Sequence, residues 1–494
     1  MDNKEKSILA KLYCVGVSFI VMMLASANSF IFARNTFVDP NAFMMVGRRM
    51  LKGAVMYKDV YEHKGPYLCL LSEFMCFISS NSYIGMFLVE FVLFSIFLFY
   101  SYKILYIYFE NNSIMFIPII AFICLVSTIY TEELSVEQLC IPMLSISLYM
   151  LLKFFKEGYE KHIWLINGIF TGIIFWIKYT VLMIYIVWCF VILFYCLKRK
   201  DIKKLFEIII KWAFGILIAS IPIVIYFTIN NAWYDLYKAY FYNLIVIYPS
   251  LARRGPVDMV VFMIAIMVTS IYVFIVLVLG VIGLQKSRST YKNEICLVSI
   301  PLLVFIAFNT YNSKNFPYTW QVVDVFLPVT IVGLINLVKN TGFAKTFSEY
   351  IGKKNKRVVN GVILVISLIL LCVFSAQFKQ LFKKQDGTAA VAFAEEIRKE
   401  KDAKMITYRC SDPGIYMELG VTNDMKYFNY YGIWTDEINE EYEKVFADKD
   451  VKFVLTSSNM LKKKHENYLI EKGFEKFRES DRDSSNGIFT LWKR

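Results

Sequence analysis

Charge and histidine are what this chain has least of. Of its 494 residues only 19% are Asp, Glu, Lys or Arg and three are His, whereas an ordinary soluble domain is about 25% charged. With 57% hydrophobic and 17% aromatic residues beside so little charge, a wholly soluble protein is excluded, because one soluble core stops growing beyond roughly 250–300 residues. The same composition excludes a disordered chain. His63, His162 and His465 are too scattered for a histidine metal cage. Ten cysteines are present, but most, such as Cys14, Cys124, Cys140, Cys189, Cys196, Cys296 and Cys372, lie inside apolar runs, where a thiol behaves as a small hydrophobe. Cys410 stands alone after residue 378 and no C-x-x-C spacing occurs, so neither a disulfide framework nor a zinc site is expected. A Gly-rich phosphate loop is also missing, since Gly414, Gly420 and Gly432 are isolated.

What the chain has in quantity is long apolar runs. A helix needs roughly 20 apolar residues to span a hydrocarbon core with its backbone bonded internally. Runs of that kind lie near residues 12–33, 84–108, 114–130, 134–152, 163–178, 180–197, 206–229, 258–283, 295–310, 319–338 and 358–378. They predict a polytopic α-helical membrane protein of about eleven spans. The first run follows Lys4, Lys6 and Lys11 but is too long for a signal-peptide core and has no small-residue cleavage site, so it reads as a retained first span. The net charge of +13 first suggests a polyanionic partner. Beyond residue 378, however, 21 Lys and Arg stand against 21 Asp and Glu, so the whole excess belongs to the apolar part. There it clusters in alternate loops, at Lys153 to Lys161, Lys198 to Lys204, Lys286 to Lys292 and Lys339 to Arg357. By the positive-inside rule these loops are cytoplasmic, which places the N-terminus inside and the C-terminal tail outside, with no call for a nucleic acid. Abundant Lys, Ile, Asn, Phe and Tyr suit an AT-rich bacterial genome, hence a bacterial plasma membrane.

One loop departs from that rule. The external loop 34–83 carries Arg34, Arg48, Arg49, Lys52, Lys58 and Lys64. Within it Asn41 to Leu51 places Phe43, Val46, Met50 and Leu51 at helical spacing with Arg48 and Arg49 opposite, the pattern of an amphipathic helix in the membrane interface. Tyr67 to Ser79 is apolar but about 13 residues long, which suits an interfacial or re-entrant helix. Cations on the side that topology disfavours point to an anionic partner there, with lipid headgroups as the alternative.

The chain divides into a membrane domain, 1–378, and a soluble tail, 379–494. In the tail short β-rich runs (Met405 to Cys410, Lys426 to Tyr431, Lys452 to Thr456, Gly487 to Trp492) alternate with helical patterns (Thr388 to Lys401, Asp436 to Phe446, Asn459 to Phe477). Such alternation predicts a small extracytoplasmic α/β accessory domain with a mostly parallel sheet.

Acids at the outer boundary are few and therefore informative, because carboxylates beside spanning helices are expensive and usually face a polar cavity. They fall in the first loop (Asp39, Asp59, Glu62) and in the external turn Tyr130-Thr131-Glu132-Glu133-Leu134-Ser135-Val136-Glu137-Gln138. The first loop also reads Gly47-Arg48-Arg49, Leu51-Lys52-Gly53, Tyr57-Lys58-Asp59 and His63-Lys64-Gly65-Pro66. In this order the elements resemble the first-loop signature of GT-C class membrane glycosyltransferases, in the group related to bacterial protein mannosyltransferases and the aminoarabinose transferase, a family 39-like group. Phe175-Trp176-Ile177-Lys178 resembles a later lysine of that group, and Phe316-Pro317-Tyr318-Thr319-Trp320 its late aromatic loop. The resemblance covers residues 1 to 378. It departs at Pro40, which stands where the group carries the second acid of a pair.

The resemblance implies an inverting glycosyltransferase that moves a sugar from a polyprenyl-phosphate donor to an acceptor at the extracytoplasmic face. A protein, a lipid or a cell-wall glycan could be that acceptor. Such chemistry needs a base for the acceptor hydroxyl, for which Asp39 is the candidate, and cations where phosphate charge develops. Arg48, Arg49, Lys64 and Lys178 are the candidates for the donor phosphate, Arg as a bidentate fork and Lys as a point charge. Glu132, Glu133 and Asp59 are acceptor-binding or metal candidates, with Glu132 and Glu133 able to join Asp39 around a divalent cation. Asp59 would also orient the loop, supported by Glu62 and His63. Tyr318, Trp320, Tyr242 and Tyr248 would line a sugar pocket or form an interfacial belt, and Arg253 and Arg254 lie on the outer side within reach of a lipid phosphate. Two other classes remain: a transporter or flippase of a lipid-linked sugar, which should show paired broken helices in related halves, and a non-catalytic scaffold of envelope polysaccharide assembly.

Overall fold

The computed structural model describes residues 3–32, 34–127, 129–130, 134–158, 160, 162–248, 255–312, 316–342, 346, 355–382, 389–400, 403–430, 432–480 and 487–494. The chain forms two compact units, each discontinuous in sequence. One comprises Met1–Ile31, Phe87–Pro222 and Arg254–Leu381, and the other Phe32–Met86, Ile223–Arg253 and Phe382–Arg494.

The first unit is built from apolar helices, beginning with α1 (Asn3–Ala25). Among the described residues eight helices are long and apolar enough to cross a membrane. The count is nine if Pro256–Thr269 and Ile271–Lys286, bent by 95° at their junction, form one broken span. The sequence leads one to expect about eleven spans, and the described residues give eight or nine because runs merge. Four of the eleven runs lie in two stretches that the count takes whole, Ile84–Leu125 with 42 residues and Ile163–Lys198 with 36, each about twice the length a span requires. Short 3-10 segments, Glu110–Met115 and Tyr179–Leu182, divide these stretches. The helix Lys356–Phe374 leaves Val358, Val362, Val365, Ile366, Ile369 and Val373 each more than half exposed, a surface suited to lipid and not to water. Ile271–Lys286 and Leu327–Val338 approach closely because both carry glycine at the crossing. A β-carbon on Gly283 would stand 1.8 Å from the Gly333 carbonyl oxygen, and one on Gly333 2.0 Å from that of Gly280. Small residues at such crossings let helices pack backbone to backbone where lipid offers no hydrophobic drive.

Polar groups in this unit tie helix ends together. Glu90, 3% exposed in the helix Ile84–Phe109, accepts from Ser26 Oγ at 2.6 Å, Asn28 Nδ2 at 2.8 Å and the Leu134 N–H at 2.6 Å. It thereby joins the turn after α1 to the start of Val136–Glu157. That helix opens on a reciprocal capping box between Ser135 and Gln138, which satisfies two backbone donors that would otherwise be orphaned.

In the second unit the first loop folds as α2 (Val38–Leu51) and α3 (Pro66–Ile78). They pack so tightly that a β-carbon on Gly47 would lie 2.2 Å from the Ser72 carbonyl oxygen. The Arg side of α2 is covered by the tail. Arg48 donates through Nε to Ser80 O at 2.6 Å and through an η-nitrogen to Val421 O at 3.2 Å, while Arg49 donates to Met425 O. The two side chains are 5% and 8% exposed. A guanidinium has five donors and can saturate several loop carbonyls at once, which helical spacing within 41–51 cannot reveal.

The tail has a four-stranded sheet of order β1-β2-β4-β3, from β1 (Lys404–Thr407), β2 (Val451–Ser457), β3 (Glu475–Glu479) and β4 (Phe489–Lys493). The expected α/β layer is there, but the sheet is mixed and not mostly parallel. β1 and β2 are parallel, while β2–β4 and β3–β4 are antiparallel. Of residues 426–431, read from composition as a strand, 426–430 form a loop instead and Tyr431 lies outside the described residues. The N–H groups of Lys426 and Tyr427 donate to the Glu441 carboxylate, and the Lys426 carbonyl accepts from Tyr61 N, so no ladder partner is left. β3 was hidden inside a helical pattern. Its residues, Glu-Lys-Phe-Arg-Glu, are all exposed at the sheet edge, where charge discourages edge-to-edge pairing and erases the alternation that marks a strand. The helix before it, Lys463–Glu471, is followed by Gly473 at φ +86°.

Candidate active site

In the second unit the first loop brings four ionisable residues together. Asp39 lies in the first turn of α2, where an acid faces the positive end of the helix dipole. Lys64 Nζ sits 2.9 Å from Asp39 Oδ2, 3.8 Å from Glu62 Oε1 and 4.8 Å from the centre of the Phe43 ring. Glu62 is 1% exposed and accepts the N–H groups of His63 at 2.9 Å and Lys64 at 3.3 Å, with His63 Nδ1 3.0 Å away. Burial by itself would raise the Glu62 carboxyl, but the charges of Lys64 and His63 and the hydrogen bonds from His63 outweigh it and bring the group down to about 2. The His63 ring stacks on Tyr248 with centroids 5.9 Å apart.

The backbone around this cluster is pinned. Tyr57 adopts φ +65° and its hydroxyl donates to the Lys64 carbonyl at 2.5 Å, while its ring stacks on Phe227. Asp59 Oδ2 accepts the Val55 N–H at 2.8 Å and so orients the turn between α2 and Lys64. A base needs a fixed position and a leaving group needs a fixed cation. The Asp39–Lys64 pair, held from below by buried Glu62, supplies both on one rigid loop.

The first unit contains a second lysine–carboxylate pair. Lys178, at the C-terminal end of Ile163–Lys178, is ion-paired with Glu137, which is 1% exposed in the first turn of Val136–Glu157. Both placements suit the helix dipoles. Lys178 Nζ also lies 5.7 Å from the Tyr318 ring centre, and Tyr318 stacks on Phe316 at 5.4 Å. Trp320 is fully buried, in edge-to-face contact with Phe274, so its indole packs inside the unit and offers no face to a sugar.

The structure therefore groups Asp39, Lys64, Glu62, His63 and Tyr248 in one unit, and Lys178, Glu137 and Tyr318 in the other. Arg48 and Arg49 are engaged by carbonyl oxygens of the second unit. Tyr242 is 40% exposed. Glu132, Glu133, Arg253 and Arg254 lie outside the described residues. Among the described residues no three His, Cys, Asp or Glu side chains are arranged to hold a metal ion. Sequence reasoning placed Glu137 in the second external turn without giving it a role, and gave Glu62 only a supporting part. An acid opening an apolar helix, as Glu137 does, was the available signal.

Neither a protein-family model nor a curated protein sequence matches the chain. Solved structures do match its fold. ArnT from Cupriavidus metallidurans bound to undecaprenyl phosphate superposes with TM-score 0.63 at 11% identity, covering 99% of this chain and 98% of that one. ArnT from the same organism in the apo state gives TM-score 0.64 at 10% identity, covering 98% and 97%. The chain thus has the fold of ArnT, polytopic and helical with a small C-terminal α/β domain, the fold class that the first-loop resemblance leads one to expect.

Proposed function

We propose that the protein is an inverting glycosyltransferase that moves a sugar from a polyprenyl-phosphate donor to an acceptor at the extracytoplasmic face of a bacterial plasma membrane. The observation that carries the reading is the Asp39–Lys64 pair, 2.9 Å apart on a loop fixed by buried Glu62. The undecaprenyl phosphate bound by the structurally similar ArnT supports a polyprenyl-phosphate donor. Membrane residues 1–378 carry the transferase and residues 379–494 an accessory domain, with the N-terminus cytoplasmic by the distribution of basic loops.

In this mechanism the acceptor hydroxyl oxygen attacks the anomeric carbon as its proton passes to Asp39. The bond from that carbon to the phosphate oxygen breaks, and its electron pair leaves with the polyprenyl phosphate. A phosphate departs as an anion and needs cationic stabilisation more than protonation, which Lys64 supplies. Attack from the face opposite the leaving group inverts the anomeric centre. The sequence resemblance supports Lys178 as a further donor-phosphate cation, with Glu137 fixing its ammonium. Nothing in this scheme parallels the paired carboxylates of glycoside hydrolysis, because the leaving group requires no acid.

The test is the purified protein in proteoliposomes given a polyprenyl-phosphate sugar labelled in the sugar. Release of label from the lipid, to an added acceptor or to water, is the expected result. Movement of intact donor across the bilayer without cleavage would replace this reading by that of a flippase.

A further inference from the structure

We infer that the second unit carries an oxyanion-binding groove, separate from the Asp39–Lys64 pair, that grips an acidic group on a hydroxyl-rich acceptor glycan; the assignment to an acceptor rests on the transferase reading. The groove encloses a cavity of about 530 Å³ between the C-terminal end of α2, the following loop and the tail, a size suited to a small ligand. Arg49 and Asp39 stand ten residues apart on α2, which places them about 15 Å apart along the helix. A ligand in the groove is therefore too far away to be the reacting sugar but within reach as part of the same chain.

Its charge pattern tells what it would hold. Arg49, Lys52 and Lys58 line the cavity, and among the described residues none of the three is ion-paired. Their hydrogen bonds go to neutral oxygens: Arg49 donates to Met425 O, Lys52 to Thr422 Oγ1 at 2.8 Å and Lys58 to Asn230 O at 3.4 Å, while the carboxylates of Asp424, Asp59 and Glu441 act on Arg49 only through space. Two of the acids in the same cavity are turned to backbone N–H groups instead. Asp59 accepts from Val55, and Glu441 accepts from Lys426 and Tyr427. Arg49 is only 8% exposed, so a guanidinium that is already largely desolvated faces the cavity. Arg49, Lys52, Lys58 and Lys426 outnumber the carboxylates of Asp59, Asp424 and Glu441 in the lining, so the cavity favours an anion, and a guanidinium accompanied by ammonium groups suits a carboxylate or phosphate. Asp59, Asp424 and Glu441 add acceptors for sugar hydroxyls.

The test is a direct binding titration on the detergent-purified full chain without donor, so its outcome does not depend on turnover. Trigalacturonate, a glycerol-phosphate oligomer, maltotriose and inorganic phosphate are the probes. Binding of either acidic oligomer, weakening as salt rises, with maltotriose at least tenfold weaker, supports the inference, and the better of the two identifies carboxylate or phosphate as the recognised group. The Lys52→Gln/Lys58→Gln variant alters two exposed side chains, so it should melt like the wild type while losing about tenfold in affinity for that oligomer. Equal binding of maltotriose, inorganic phosphate binding as tightly as the oligomers, or undiminished binding by the double variant would overturn it. Loss of donor cleavage in the wild type, with this binding intact, would overturn the transferase reading alone.

Discussion

Replacing Lys64 by Met should destabilise the second unit by an amount that follows from Glu62. The Glu62 carboxyl, ordinarily at 4.5, is held at about 2 because Lys64 and His63 together outweigh its burial. A tenfold change in proton affinity is about 1.36 kcal/mol, so the displacement corresponds to roughly 3 kcal/mol. Since the group is lowered in the folded state, that stabilisation is complete above pH 4.5 and is lost as the pH falls toward 2. Lys64 is the larger of the two opposing charges, and removing it leaves a carboxylate that is 1% exposed with His63 alone. The expected loss at neutral pH is roughly 2–3 kcal/mol, near the lower end of the range for breaking a buried pair. At roughly 2–4 °C per kcal/mol for domains of moderate size, the melting temperature in detergent should drop by roughly 5–10 °C. The acid limb of the stability curve should move to higher pH. Adding Glu62→Gln should recover more than half of the loss, because a neutral amide does not need the ammonium. A Lys64→Met protein that melts with the wild type, with an unchanged acid limb, would refute the reasoning.

Other outcomes follow from single contacts. Gly283→Leu should sharply reduce the yield of folded protein, since its β-carbon would meet the Gly333 carbonyl oxygen, whereas Gly361→Leu, with nothing within 4 Å of a β-carbon, should purify normally; the check is size-exclusion chromatography of both. Glu90→Ala strands the donors of Ser26, Asn28 and Leu134, and at about 1–3 kcal/mol for each unsatisfied buried group it should lower the melting temperature by several degrees. Lys178→Met should slow donor cleavage at least tenfold, read in the labelled-donor assay at saturating acceptor.

The spanning helices were legible because an unbroken apolar run in lipid satisfies its backbone as a helix, but their number was not: four of the eleven runs merge into Ile84–Leu125 and Ile163–Lys198, so the count among the described residues is eight or nine. The first loop was legible in its spacing, which put Asp39 and Lys64 in one motif. What escaped depends on partners far along the chain. The tail carbonyls of Tyr416, Val421 and Met425 that engage Arg48 and Arg49 are more than 360 residues away, and local periodicity carries no trace of them. Residues 426–431 have strand composition, yet Glu441 and Tyr61 take their backbone groups. Glu90 and Glu137 were visible as acids in apolar helices, but their partners come from separate segments.

The central claim is that Asp39 takes the proton from the acceptor while a phosphate-linked sugar is transferred. It is tested most directly by comparing wild type and Asp39→Asn, purified in parallel, for release of labelled sugar from a polyprenyl-phosphate donor. Asparagine keeps the shape but cannot accept the proton, so the account predicts cleavage by the wild type and at least a hundredfold loss in the variant at equal folded yield, the scale of general-base catalysis. Normal turnover by Asp39→Asn would contradict it.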